Sequence, residues 1–298
     1  MVTLFFISIA GLAAQLVDGG LGMGFGVTST TMLITLAGVT PAAASAIVHV
    51  AELGTTAVSG ASHWKLGNVE WKVVARLAIP GGIGAFTGAT LLSNVDASAA
   101  KPWMSAILIG IGLCLMVRFL RPRRPSGRSH STPFLAGLGL FGGFIDASGG
   151  GGWGPVTTST LLGLGKLEPR KVIGTVNTAE CIVALAATLG FVAGLWDELL
   201  DHLPAVLALL VGGCIAAPIA AWLVSRINPA ALGSFVGSLI VALNIPRLIG
   251  GQYAAVAVVA VLVIGVVLAV TSYKRSRLRI VAETSPAREP SLVSDSLV

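Results

Sequence analysis

Long apolar stretches recur along this chain, and no other feature constrains its fold as much. Val73–Ser93, Pro102–Leu120, Pro204–Val224 and Gln252–Tyr273 each run about twenty residues with at most one charge. That is the length a helix needs to cross a hydrocarbon core of roughly 30 Å. Without water to bind backbone N–H and C=O groups, such segments must be helices. Only 11% of the 298 residues are charged and mean hydropathy is +0.89, against about 25% charged in soluble domains. The chain therefore reads as an all-α, polytopic membrane protein. Its net charge of +6 does not point to nucleic acid. The basic residues gather in Arg121–Arg128 and Lys274–Arg279 beside apolar segments, where positive-inside topology accounts for them. Cys114, Cys181 and Cys214 stand singly, with no metal spacing and no disulfide framework. No metal or cofactor is expected. No Lys or Arg precedes the first apolar run, so a cleaved leader is not expected either.

The chain also repeats itself. Shifted by 128 residues, Asp18, Gly22, Gly24, Gly26, Thr30, Leu33, Leu36, Pro41, Val48, Ala51 and Glu52 meet Asp146, Gly150, Gly152, Gly154, Thr158, Leu161, Leu164, Pro169, Val176, Ala179 and Glu180. These are 11 identities in the 35 positions 18–52 without a gap, where chance gives about two or three. The organisation expected is a first membrane repeat over 1–121, a basic cytoplasmic linker over 122–132 and a second repeat over 133–249. An extra transmembrane helix over 250–273 and a basic, polar, disordered cytoplasmic tail over 274–298 complete it.

Within the first repeat, Val2–Val17 and Phe25–Ala37 flank a glycine-rich break. At 1.5 Å per residue they reach about 24 and 20 Å, short of a full crossing. They are read as a re-entrant helical hairpin with the glycines at its tip, two tilted spans being the alternative. Pro41–Ala61, Val73–Ser93 and Pro102–Leu120 follow as spans. Either count gives an odd number of crossings per repeat, so the second repeat is inverted. With Arg121–Arg128 cytoplasmic, Lys65, Lys72, Lys166, Arg170, Lys171, Arg226 and Lys274–Arg279 are inside as well. The N-terminus and the acidic loop Gly194–His202 lie outside. Inverted repeats are characteristic of secondary transporters, whose sites sit at the midplane between the halves.

Three groups of residues carry the chemistry. The glycine breaks, with Gly22, Gly24, Gly26 and Gly150, Gly152, Gly154, let the backbone turn sharply and leave N–H groups free. The helices opening at Phe25 and Trp153 point their positive dipole ends at them. A soluble βαβ nucleotide fold is excluded, because an apolar helix precedes the glycines. Hydroxyls follow each break, Thr28 and Thr30 in the first half and Thr157 and Thr158 in the second. They either cap the helix or donate to a ligand oxygen. Finally, His49 with Glu52 and Asn177 with Glu180 share helix faces at i,i+3. The glutamates lie near mid-span, where a carboxylate costs roughly 2.5–3.5 kcal/mol. Each is either a coupling carboxyl or a structural brace, and His49 is suited to sensing or relaying protons. Asp18 and Asp146 are expected to brace the hairpin tips.

DGGLGMGFGVTST from Asp18, followed by Ala51-Glu52, and DASGGGGWGPVTTSTLLGLG from Asp146, followed by GTVNTAE ending at Glu180, resemble the sulfite exporter TauE/SafE family over residues 2–270. The resemblance implies movement of sulfur-containing or organic anions such as sulfite, sulfoacetate, other sulfonates or thiosulfate. His49 departs from its repeat partner Asn177, and the lone cysteines are unlike the thiosulfate-handling relatives that use membrane cysteines. The expected protein is a secondary transporter of small anions in the cell membrane, an exporter coupled to protons and not an enzyme. A passive anion channel or a permease for another small organic anion is the alternative, and a homodimer is a compatible assembly.

Overall fold

The structure, a computed structural model, describes residues 2–21, 23–118, 130–164, 166–223, 229–249 and 251–284. Its elements are α1 (Val2–Leu21), α2 (Phe25–Leu36), α3 (Pro41–Lys65), α4 (Trp71–Ser93), α5 (Ala97–Arg118), α6 (Thr132–Gly149), a π-helical turn (Gly154–Thr158) continuing into α7 (Ser159–Leu164), α8 (Pro169–Asp201), α9 (Leu203–Leu223), α10 (Pro229–Leu248) and α11 (Gln252–Thr284). Among the described residues there is no strand. Six helical stretches, in α3, α4, α5, α8, α10 and α11, are long and apolar enough to cross a membrane. The chain is an all-α polytopic membrane protein.

Local sequence explains where helices begin and end. Proline occupies the first turn of α3, α6 and α8, where its missing N–H costs nothing. Thr40 caps α3 by accepting from Ala43 N–H at 3.3 Å. Gly150, at φ 72°, closes α6 in the left-handed conformation, as C-terminal glycines do.

The halves are interleaved. The two most extensive packings are α4 on α6 and α1 on α9, so the first helix of each half lies on a late helix of the other. Both contacts use the same device. Gly11 sits against the Leu209 backbone and Gly212 against Ser8 O, while Gly139 sits against the Leu77 backbone and Gly143 against Gly81 O. Small residues let helix backbones approach closely in lipid, where dispersion replaces the hydrophobic drive. At the centre α3 packs on α8 and α5 on α10. α11 packs on α10 and leaves Val256, Val259, Val263 and Val267 exposed, a lipid-facing surface. Trp64, Trp71, Trp103 and Trp196 are exposed at helix ends, whereas Trp153 is wholly buried.

Three expectations are corrected. α1 continues through Gly19 and Gly20 to Leu21, so the first break is narrower than its glycine count suggests; a helix once nucleated extends at little cost per residue. α1 is 20 residues long, about 30 Å at 1.5 Å per residue. Residues 6–10 of α1 and 32–37 of α2 line one groove, so the chain reverses at the break. Secondly, Gly194–His202 is not a loop: α8 runs to Asp201 with a kink at Leu195 (φ −134°, ψ 33°). Thirdly, α11 carries Lys274–Arg279 on to Thr284; Lys, Arg and Leu are good helix formers and no Gly or Pro interrupts them. Residues 285–298, most of the basic linker (122–129), Arg226 and Gly22 lie outside the described residues.

Candidate functional site

The second break is built around Asp146. Its Oδ1 accepts from the backbone N–H of Gly152 at 2.7 Å and of Trp153 at 2.8 Å, and its main-chain carbonyl accepts from Gly151 N–H at 2.8 Å. Asp146 Oδ2 lies 3.1 Å from His49 Nε2, a pair only 2% and 0% exposed. His49 Nδ1 is 2.7 Å from Ser45 O, so the ring is held on one side by the backbone of α3 and on the other by Asp146. Ser45 Oγ adds a bond to Ala147 O at 2.7 Å. Helix α3 of the first half thus grips the tip of the second hairpin at two points.

The first break uses the same acid and lacks the grip. The Asp18 carboxylate accepts from Phe25 N–H, the counterpart of Trp153. Asn177 stands where His49 would be, but its Nδ2 donates to Ser59 Oγ at 3.1 Å. The N–H groups of Phe25, Gly152 and Trp153 are therefore held by the protein's own carboxylates. This corrects the expectation that the breaks leave them free for a ligand.

Hydroxyls differ between the halves too. Thr157 Oγ1 donates to Trp153 O at 2.5 Å, and Thr158 is buried. Thr28, Ser29 and Thr30, at 9%, 0% and 0% exposure, have side-chain oxygens with no hydrogen-bond partner. Buried polar groups are nearly always satisfied, and here three without a partner fall in one turn of α2.

The breaks meet. A Cβ on Gly26 would lie 2.8 Å from Gly151 Cα and 2.9 Å from Glu52 Oε1, and one on Gly150 would strike Thr30. Gly151 (φ 123°) sits directly against the backbone of Gly26 and Val27. Gly24, at φ 119°, makes the turn into α2, while Gly154 opens the π-helical turn and is buried. Glu52, 2% exposed, has an unpartnered Oε2. It lines a small cavity of about 10 Å³ with Gln15, Asp18, Thr55, Asn177 and Glu180, near the lower limit for one water. Both mid-helix glutamates thus reach one cavity. His49, Glu52 and Asp146 bring donor atoms within 4.8 Å of one another, the one such group among the described residues. Its nitrogen and oxygens suit a borderline metal, but Asp146 is already committed to His49 and the tip.

The sulfite exporter TauE/SafE profile matches residues 7–247. The chain belongs to the sulfite exporter TauE/SafE family. The "Probable membrane transporter protein YtnM" of Bacillus subtilis (strain 168) is 47% identical over 266 residues, covering 87% of each chain. No solved structure matches. In this TauE/SafE protein several site residues escape sequence reading. Gly151 is one, because its repeat partner is Met23. Ser45 is another, although its i,i+4 spacing from His49 is a usable signal. Gln15 carries no signal.

Proposed function

We propose that this protein is a secondary carrier of small sulfur-containing or organosulfonate anions, such as sulfite or sulfoacetate, and that it exports them coupled to protons. The observation carrying this reading is that Thr28, Ser29 and Thr30, consecutive in the turn of α2 next to the crossing, have buried hydroxyls without a hydrogen-bond partner, with Thr30 against Gly150 of the other break. Hydroxyls suit oxyanion oxygens, and small-residue walls let the anion approach the backbone. The other site residues frame this place: Asp18 and Asp146 brace the tips, and Glu52 and Glu180 line the cavity. No Lys or Arg lines that cavity, so an ionised Glu52 would repel the substrate. A proton on it turns repulsion into donation, which links anion and proton. The carboxyls that line the cavity favour a carrier over a channel, since a proton-linked carrier needs titratable groups at its site.

The glutamate variants test the coupling. Glu52→Gln and Glu180→Gln keep a donor and lose only the charge, so they are expected to retain sulfite binding. The alanine variants should lose about tenfold or more, because a hydrogen bond to a charged group contributes about 1.5–3 kcal/mol. Sulfite flux against pH in proteoliposomes should flatten in whichever glutamine variant removes the coupling proton. Wild-type binding and pH profiles in all four variants would make both residues braces only.

The proposed orientation places the two halves inverted in the cell membrane, N-terminus outside and C-terminus cytoplasmic. In a background with all three cysteines replaced, Asp197→Cys should react with an impermeant thiol reagent on intact cells and Ser126→Cys should not. The opposite pattern would reverse the topology.

A further inference from the structure

One face of α2 carries hydroxyls from the hairpin crossing toward the end of the helix. Thr28, Thr31 and Thr35 follow at spacings of three and four, so they share one helix face. Helix α10 lies on that face. Asn244 Nδ2 donates to Thr31 Oγ1 at 3.3 Å, and Arg247 Nη2 donates to Thr35 Oγ1 at 2.8 Å. Arg247 Nη1 also donates to Asn244 Oδ1 at 2.8 Å and to Leu243 O at 3.1 Å.

Every one of those acceptors is neutral. Arg247 belongs to none of the ion pairs among the described residues. A half-buried guanidinium usually meets a carboxylate, and one that merely snorkels turns its head away from the helix bundle. Arg247 instead lies back across α2, at the end of a polar track whose inner member, Thr28, is buried without a partner. The second half does not reproduce the track: Val156, Ser159 and Gly163 occupy the matching positions. The row thus serves one end of the bundle, where α2 and α10 terminate.

We infer that Thr28, Thr31, Thr35 and Arg247 form a relay site for the transported oxyanion between the hairpin crossing and that end of the bundle, with Arg247 as its outermost, charge-selecting contact. A guanidinium matches the oxygens of a sulfite or sulfonate group by paired N–H donors, and the hydroxyls can hand the anion along one helical turn at a time once Thr35 gives up its donation to Thr31 O. The inference rests on the anion-carrier reading and names residues for it.

The test is saturable flux of sulfite, and separately of sulfoacetate, in proteoliposomes holding the full chain. Arg247→Gln should raise KM about tenfold with Vmax largely kept, as expected for losing a charge-assisted contact. Arg247→Lys should recover part of that loss, and Thr35→Val should raise KM by a smaller factor. Wild-type KM should rise with ionic strength and that of Arg247→Gln should not, since salt screens the attraction. A purely structural arginine would lower folded yield and Vmax while leaving KM and its salt dependence unchanged. Wild-type KM in Arg247→Gln overturns the relay and leaves the carrier standing; where that variant does not fold, wild-type KM in both Thr35→Val and Thr31→Val does the same. No saturable flux of either anion in the wild type overturns carrier and relay together.

Discussion

Gly151→Ala is expected to abolish sulfite flux and to lower thermal stability. The residue holds φ 123°, and a Cβ there would run into Val27 N and the backbone of Gly26. No flexible side chain can give way, so the two breaks must separate. Left-handed backbone alone costs a non-glycine residue about 1–2 kcal/mol, and overpacking adds about 1–3 kcal/mol. Gly26→Ala should do nearly as much, since its Cβ would meet Gly151 Cα and Glu52 Oε1. Gly137→Ala is the control: nothing lies within 4 Å of its Cβ position, so stability should stay near wild type. Thermal unfolding of the purified proteins, read beside flux, checks all three. Wild-type flux in Gly151→Ala would mean that the crossing is not where the substrate passes.

Asp146→Ala carries the second largest expected loss. It orphans the N–H groups of Gly152 and Trp153 and leaves His49 without its partner, all in a buried setting. Removing one member of a buried pair typically costs about 3–5 kcal/mol. Asp146→Asn keeps one acceptor for the tip and is expected to fold, with transport reduced and its pH dependence altered, because His49 loses its carboxylate partner. His49→Asn, which copies Asn177, should also fold. A pH profile like wild type in both conservative variants would remove His49 and Asp146 from proton coupling.

Much of this arrangement could be read from the residues. The matched motifs put the two breaks at equivalent places, and helix resumes at Phe25 and Trp153, 128 apart, as the residues indicate, whereas α1 runs past the expected Val17 to Leu21. The pairing of Glu52 with Glu180 was visible for the same reason. What escaped was decided by partners distant in sequence. Nothing near Asp146 announces that its Oδ1 will take the N–H groups a ligand might have used. Gly151 faces Gly26 across the molecule, while its repeat partner is a methionine. Arg247 sits near the end of an apolar helix, where a lone basic residue usually means only a membrane boundary. The helix through 194–201 was hidden because acidic residues and a glycine read as a loop, yet the chain kinks at Leu195 and continues.

The exchange of first helices between the halves bears on how the protein is made. α1 leaves the ribosome some two hundred residues before its main packing surface, α9. Until then the carbonyl-lined notch at Gly11 has no helix to receive it, and the hairpin it anchors has no fixed seat. α6 waits for nothing, since α4 is already inserted. Contacts so far apart in sequence form late. Two halves expressed as separate chains are then expected to survive only when both are present.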